Sequence, residues 1–346
     1  MFDNKDKTDI QELGEFGLIK HLTEHIELKN SSSVKGIGDD AAVLDFSKTK
    51  TLVSTDLLLE NVHFDLRYVP LKHLGYKAVQ VNLSDIYAMN GIASQITLSI
   101  GMSSKFPLEA IEEIYAGALI ACEKYQVDLV GGDTSASTQG LILSVTSIGH
   151  AEESKIAYRS GAKVGDLICV SGDLGAAYVG LQLLEREKKI YLENPNIQPD
   201  LEGKDYIVER QLKPESRKDI VELLSFLKVQ PHAMIDVSDG LASEITHICK
   251  ASQVGCKIYE EKIPLDPMTY ETAREFGLDP TVCALNGGED YELLFTIDQK
   301  DYDKVKNQLD FSIIGHITEA NEGLQLISKS GNVHDIKAQG WNAFKA

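Results

Sequence analysis

The chain is short of positive charge. It sets 34 Lys and Arg against 53 Asp and Glu, a formal net charge of −19 over 346 residues. A general nucleic-acid binder or a membrane-surface protein needs a cationic stripe that releases counterions, so the composition argues against both. No run approaches the ~20 apolar residues of a transmembrane helix. The opening Met1-Phe-Asp-Asn-Lys-Asp-Lys has no apolar core, which points away from a secretory signal. Cysteine is sparse and scattered. Cys122, Cys169, Cys249, Cys256 and Cys283 are odd in number and never form Cys-x-x-Cys, and none sits in a basic setting that would favour a thiolate. They read as reduced, mostly buried thiols of a cytoplasmic protein.

The common nucleotide signatures are missing too. A P-loop needs Gly-x-x-x-x-Gly-Lys-Ser/Thr, and the one Gly-Lys pair, Gly203-Lys204, runs into Asp205. Gly36-x-Gly38-x-x-Ala41 matches a relaxed dinucleotide fingerprint, but no clear strand precedes it, and Asp39 and Asp40 would repel a bare pyrophosphate. The protein-kinase His-Arg-Asp and Asp-Phe-Gly are absent. His21-x-x-x-His25 lacks a Glu in the metalloprotease position and reads as the solvated face of an N-terminal helix.

What is present is an ordinary globular balance, 43 % apolar and 25 % charged, long enough for two cores. Short apolar runs alternate with helical spacing, so the class is α/β or α+β. The first block holds a β-like run at Thr51–Thr55, a helix from Leu71 to Met89 stopped by Asn90-Gly91, and a strand at Ile96–Ile100. A helix at Leu108–Tyr125 and a strand at Leu141–Ile148 follow. The polar stretch from Glu152 to Gly165 marks the junction, giving domains 1–153 and 154–346. In the second block, strands are expected at Asp166–Ser171, Ala233–Asp236, Glu292–Ile297 and Ser312–His316. Helices are expected around Ala176–Glu187 and from Leu241 to a stop at Gly255, with a polar, loop-rich excursion over Lys188–Lys213. Leu83-Ser84-Asp85 faintly echoes Val237-Ser238-Asp239.

The acidic residues gather in small-residue settings. Tight glycine-containing turns are read at Gly36-Ile-Gly38-Asp39-Asp40, Gly131-Gly132-Asp133-Thr134, Asp236-Val-Ser-Asp239-Gly240 and Gly287-Gly288-Glu289-Asp290. Asp56 and Asp85 close Val53-Ser-Thr-Asp and Asn82-Leu-Ser-Asp. Any one Gly-Asp pair is ordinarily just a turn. Six motifs that converge are different, because each adjacent carboxylate pair repels by ~4 kcal/mol at ~4 Å and an effective dielectric of ~20. Oxygen-rich clusters of this kind suit Mg²⁺.

These segments, in this order, resemble thiamine-monophosphate kinase. The resemblance is carried by Gly36-Ile-Gly-Asp-Asp-Ala-Ala-Val43, Ser54-Thr-Asp-Leu-Leu-Leu-Glu-Asn-Val-His-Phe64, Asn82-Leu-Ser-Asp85 and Gly131-Gly-Asp-Thr134. Arg159-Ser-Gly-Ala-Lys-Val-Gly-Asp166, Asp236-Val-Ser-Asp-Gly-Leu241 and Gly287-Gly-Glu-Asp-Tyr-Glu-Leu-Leu294 continue it. The match runs from about Gly14 to Phe344. It implies a two-domain fold like that of aminoimidazole-ribotide synthetase: an N-terminal mixed-sheet domain that binds ATP and Mg²⁺ and dimerises, and a C-terminal α/β domain. It implies phosphorylation of thiamine monophosphate by ATP with several Mg²⁺ ions, giving thiamine diphosphate and ADP. Carried over by motif, Asp40, Ser54, Thr55, Asp56, Asp85, Asp133, Asp236 and Asp239 would bind Mg²⁺, with Asp40, Asp85 and Asp236 central to catalysis. Tyr115, Gly132, Asp133, Arg159 and Ser238 would contact ATP. His63, Glu289 and Trp341 would face the thiamine phosphate. The tail departs from the family's Gly-Trp-Asp-His-Phe, reading Gly340-Trp341-Asn342-Ala343-Phe344, so the Asp-His pair is lost and the aromatic kept. Two other ATP-using relatives fit less well. Selenophosphate synthetases usually carry a reactive Cys near the N-terminus and hydrogenase-maturation proteins a C-terminal Cys, whereas the first Cys here is Cys122 and the last residues are Phe344-Lys-Ala346. A divalent-cation-binding module without catalysis would share the Asp turns but not a specific ATP site.

Overall fold

The computed structural model describes residues 21–35 and 43–339; Asp39, Asp40 and Trp341 lie outside them. The chain packs as two units. One takes in the residues up to Ile86 together with Gly91–Glu153, the other Tyr87–Asn90 and the residues from Ser154 onward.

The first unit runs β1 (Ser33–Lys35), β2 (Val43–Leu44), β3 (Lys50–Leu59), α1 (Leu71–Ala88), β4 (Ile92–Met102), α2 (Leu108–Tyr125), β5 (Asp128–Ala136) and β6 (Ile142–Ala151). Its main sheet has the order β3-β6-β4-β5. β6 pairs antiparallel with β3 and β4, and β5 lies parallel to β4 after the α2 crossover. Strict alternation of buried and half-buried residues along β6 gives the sheet one packed face. Asp128, buried at the start of β5, ties down the 29–33 turn by accepting from the Lys29 and Asn30 amides (2.6 and 2.9 Å) and the Ser33 hydroxyl (2.6 Å). α1 stops at Ala88, and Asn90 takes the left-handed conformation (φ 55°) that ends it, as its Asn-Gly signal predicts.

The second unit runs β7 (Leu167–Ser171), α3 (Ala176–Glu193), α4 (Asp205–Leu212), α5 (Lys218–Leu227), β8 (Ala233–Asp236), α6 (Leu241–Ser252) and β9 (Gly255–Tyr259). It continues through α7 (Pro267–Glu275), α8 (Pro280–Asn286), β10 (Leu293–Ile297), α9 (Tyr302–Val305), β11 (Phe311–Thr318), β12 (Leu324–Ile327) and β13 (Val333–Asp335). Seven strands form one sheet, β13-β12-β9-β11-β7-β10-β8, antiparallel except at β12–β9. Ile168, Ile235, Leu241, Ile245, Ile258, Leu294 and Ile314 share one core between the sheet and α6. α7 and α8 both begin Asp-Pro. The Asp266 carboxylate caps the Met268 amide, the Asp279 carboxylate caps those of Thr281 and Val282, and proline takes the first helical position.

Several expectations change. Gly131-Gly132-Asp133-Thr134 is not a turn; it lies inside β5, paired with β4. The Lys188–Lys213 excursion holds the end of α3 and all of α4, whose polar residues meet buried carboxylates. α6 ends on left-handed Gln253, one of the positions where a non-glycine takes positive φ, and Gly255 opens β9 instead. The echo fails structurally, since Leu83–Asp85 is interior to α1 whereas Val237–Asp239 precedes α6. All five cysteines are buried and free.

Candidate active site

In the first unit the pleat of β3 decides which side chains meet. Side chains alternate faces, so Ser54 and Asp56 share one face and Thr55 takes the other. Opposite them, Asn82 and Asp85 stand three residues apart on one face of α1. The Ser54 hydroxyl donates to the Asp85 carboxylate. Asn82, fully buried, accepts the Asp56 amide on Oδ1 (2.9 Å) and donates its own amide to the Ala78 carbonyl (2.9 Å). Ser147 donates to the Asn82 carbonyl (2.8 Å), and Ser144 to the Asp56 carbonyl (3.2 Å). Burial, and after it the neighbouring Asp85 charge, push the Asp56 carboxyl up to about 6. The group therefore consists of two neighbouring carboxylates and a hydroxyl, with Asn82 holding the Asp56 backbone. Thr55 does not join it, since its hydroxyl donates to the Val145 carbonyl and accepts from Thr146 (both 3.0 Å).

Asp133 stands apart within this unit. Asp56, Val145, Leu98 and Gly132 form one row across the sheet, so β5 lies three strand spacings, about 14 Å, from β3. Asp133 is exposed there. Gly132 has a packing reason of its own, because a Cβ would sit 1.9 Å from the Leu98 carbonyl oxygen. Tyr115 is buried on α2, and burial pushes its hydroxyl up to about 12. His63 is half-buried in the turn after β3, not within a strand. Its Nδ1 accepts the Leu59 amide (3.0 Å), so a neutral ring carries its proton on Nε2.

In the second unit the Asp236–Gly240 segment links β8 to α6. Asp236 is buried, and Ser238 and Asp239 are half-buried. Burial raises the Asp239 carboxyl above its usual range, while His247 and the exposed Arg159 hold it down. The Asp239 amide donates to Glu244 Oε1 (3.3 Å). The Ser238 carbonyl accepts the Glu289 amide (2.7 Å), which brings the Gly287-Gly288-Glu289 loop alongside.

Among the described residues no three His, Cys, Asp or Glu side chains come close enough to hold a metal ion together. The structure joins Ser54, Asp56 and Asp85 in one unit, and Arg159, Asp236, Ser238, Asp239 and Glu289 in the other. Asp40 and Trp341 fall outside the described residues.

Sequence reasoning missed five residues in three places. Asn82 was quoted inside a motif with no role of its own. Glu244, 2 % exposed in the first turn of α6, has its carboxyl pushed up to about 8 by burial and then by Asp239, and its Oε2 has no partner among the described residues. Its signal was an acidic residue four positions after Gly240 on the helix's buried face. The third group is Arg210 and Gln211, inside the polar Lys188–Lys213 stretch, with Arg217 just beyond it.

Models of AIR synthase related proteins match this chain in both halves, the N-terminal domain over residues 38–151 and the C-terminal domain over 163–327. The thiamine-monophosphate kinase of Bacillus subtilis (strain 168) is 34 % identical over 342 residues, covering 96 % of this chain and 100 % of that one. A solved structure described as "AaThiL complexed with AMPPCP and TMP" superposes with a TM-score of 0.75 at 34 % identity, covering 96 % of this chain and 98 % of that one. Hydrogenase maturation protein HypE in complex with ATP gives a TM-score of 0.72 at 17 % identity over 93 % and 92 % of the two chains, which shows a shared fold alone. Near-full-length identity of this order, with both domain models in sequence, shows that the chain belongs to the thiamine-monophosphate kinase family.

Proposed function

We propose that the protein transfers the γ-phosphoryl group of ATP to thiamine monophosphate, giving thiamine diphosphate and ADP, by direct in-line transfer without a phosphoenzyme. Its relatives carry this activity in their names, and one was solved with an ATP analogue and TMP. The observation that carries the reading is the Asp56–Asp85 pair, two carboxylates near enough for one charge to raise the other, with Ser54 bonded to Asp85 and Asn82 holding the Asp56 backbone.

The donor set fits Mg²⁺. Ser54, Asp56 and Asp85 offer only oxygen, and both causes that raise Asp56, burial first and the Asp85 charge second, would be offset by a divalent cation. Ser54, Asp56 and Asp85, with Asp40, would hold ions in the first unit, Asp133 would do so apart from them on β5, and Asp236 and Asp239 in the second; the Thr55 hydroxyl, turned to the other face of β3, takes no part. Bound there, Mg²⁺ neutralises phosphate charge.

The remaining work falls to the chain. The acceptor is a phosphate oxygen, already anionic at neutral pH, so no strong general base is needed. Two polyanions must be aligned and their repulsion offset, which is positioning and electrostatics. Arg159 supplies fixed positive charge to the nucleotide, and Tyr115, Gly132 and Ser238 contact it. His63 Nε2 donates to the acceptor phosphate. Glu289 and Trp341 suit the thiazolium cation, one by charge and one by its π face.

The protein acts as a cytoplasmic homodimer joined through its N-terminal halves. Val53 and Leu57, 65 % and 49 % exposed on the outer face of β3, with Val62 at 50 %, support such an interface. Among the described residues no helix is long and apolar enough to cross a membrane. The test is ADP release by the purified protein with ATP and MgCl₂. It should depend on thiamine monophosphate and disappear in Asp85→Asn. Near-normal turnover in that variant would sink the reading.

A further inference from the structure

The segment that carries Arg159 is built onto β8 and α6. Just before Arg159, the Tyr158 carbonyl accepts the Met234 amide of β8 (2.9 Å). Two residues after Arg159, Gly161 takes a positive φ of 119°, which L residues rarely adopt. A Cβ there would lie 2.5 Å from the His232 carbonyl oxygen, so the backbone rests directly on the residue that precedes β8. Further on, the buried Asp166 accepts the Lys163 amide on Oδ2 (2.8 Å), and the same oxygen lies 2.9 Å from His232 Nδ1.

The remaining hold comes from one hydroxyl. Ser252, half-buried, is the last residue of α6. A serine in a helix often turns its hydroxyl back to the carbonyl four residues earlier. Ser252 Oγ instead accepts the Gly161 and Ala162 amides (3.1 Å each) and donates to the Arg159 carbonyl (3.4 Å). A hydroxyl has one proton to donate and two lone pairs to accept with. All three are used on the 159–162 stretch, so α6 grips this loop through a single side chain.

The strand and helix that fix this backbone also carry the candidate site. β8 ends at Asp236, and α6 begins just after Ser238, Asp239 and Gly240. Burial raises the Asp239 carboxyl, and His247 and then Arg159 hold it down, which puts the Arg159 guanidinium within electrostatic reach of that carboxylate. We propose that Ser252 is a positioning residue for the nucleotide site, its hydroxyl fixing the backbone from which Arg159 reaches the phosphates beside Ser238 and Asp239. The proposal rests on the reading that Arg159 contacts ATP. Arg159 is exposed and its side chain is long. Such a side chain binds well only from a backbone already in place, because ordering the loop at each binding event costs affinity. Ser252 supplies that order from the far end of the helix whose near end holds Ser238 and Asp239.

Steady-state kinetics of Ser252→Ala, Ser252→Thr, Arg159→Met and the Ser252→Ala/Arg159→Met double variant test this. Ser252→Ala frees the loop and should raise KM for ATP about fivefold, as for the loss of one neutral hydrogen bond. Its kcat and its KM for thiamine monophosphate should stay within about twofold of wild type. Ser252→Thr keeps the hydroxyl and should bring KM for ATP back to within about twofold. The double variant should be no worse than Arg159→Met alone, because both act through one side chain. An unchanged KM for ATP in Arg159→Met would overturn the nucleotide contact of Arg159 and the proposal with it. A raised KM in Arg159→Met beside an unchanged one in Ser252→Ala would overturn the proposal alone. So would a Ser252→Thr variant as weak as Ser252→Ala, or a uniform loss in kcat and both KM values, which marks a merely structural side chain. If Ser252→Ala does not fold, Ser252→Cys, near serine in size and a weaker hydrogen bonder, carries the same expectations.

Discussion

Asp85→Asn should make the metal-free protein more stable while abolishing its activity. Asparagine keeps the shape of Asp85 and an acceptor for the Ser54 hydroxyl, but removes the charge facing Asp56. The Asp56 carboxyl stands at about 6 in the folded chain, against a usual 3.8. That displacement corresponds to about 3 kcal/mol between its two protonation states. Burial accounts for the larger part and survives the substitution. The smaller part comes from Asp85, about 1 kcal/mol, or about 2 °C in midpoint for a chain of this length. The sign follows from proton binding. Between 3.8 and about 6 the folded chain holds a proton on Asp56 that the unfolded chain has released, so stability falls as pH rises through this window. The penalty is absent below 3.8 and full above 6. Thermal melts in EDTA should therefore place Asp85→Asn above wild type at pH 8, with the gap closing toward pH 4. Added Mg²⁺ should raise the wild-type midpoint at pH 8 and do less for the variant. A variant less stable than wild type at pH 8 without metal, or one that still turns over, would refute the reasoning.

Three further outcomes are expected. Asn82→Ala removes the acceptor of the Asp56 amide inside the core and should cost ~1–3 kcal/mol by urea melt, with a larger drop in kcat than a distant cavity of equal cost. Arg210→Met leaves Asp290 and Glu292 short of a counter-charge in full burial and should destabilise by ~3–5 kcal/mol, read by chemical denaturation. His63→Ala should raise KM for thiamine monophosphate and leave KM for ATP unchanged; equal KM values for the acceptor would withdraw His63 from the substrate.

The elements that the sequence exposed best were those whose pattern is local. α2 has the bounds its 3.6-residue spacing predicts, and β8 is the strand read at Ala233–Asp236. Two apolar faces were enough for those. β5 was misread because Gly131-Gly132-Asp133 has the composition of a turn, whereas its glycine is demanded by the Leu98 carbonyl of a neighbouring strand. That demand belongs to a residue more than thirty positions away and leaves no local trace. α4 was read as surface because Arg210 and Gln211 are polar, and only the fold reveals that Glu292 and Glu289 receive them. At the site, Asp56 and Asp85 were legible as motif carboxylates. Their proximity was not, because it depends on the pleat of β3 and the phase of α1 together. The same pleat turns the Thr55 hydroxyl away from its two neighbours in the motif, a separation that adjacency in sequence conceals.

The central claim is direct phosphoryl transfer between two bound anions, and ATP labelled on its γ-phosphorus tests it most directly. With thiamine monophosphate and Mg²⁺ present, the label should move into thiamine diphosphate in step with ADP formation, and none should remain on the acid-quenched protein. Label retained on the protein, or released only as inorganic phosphate, would contradict the account.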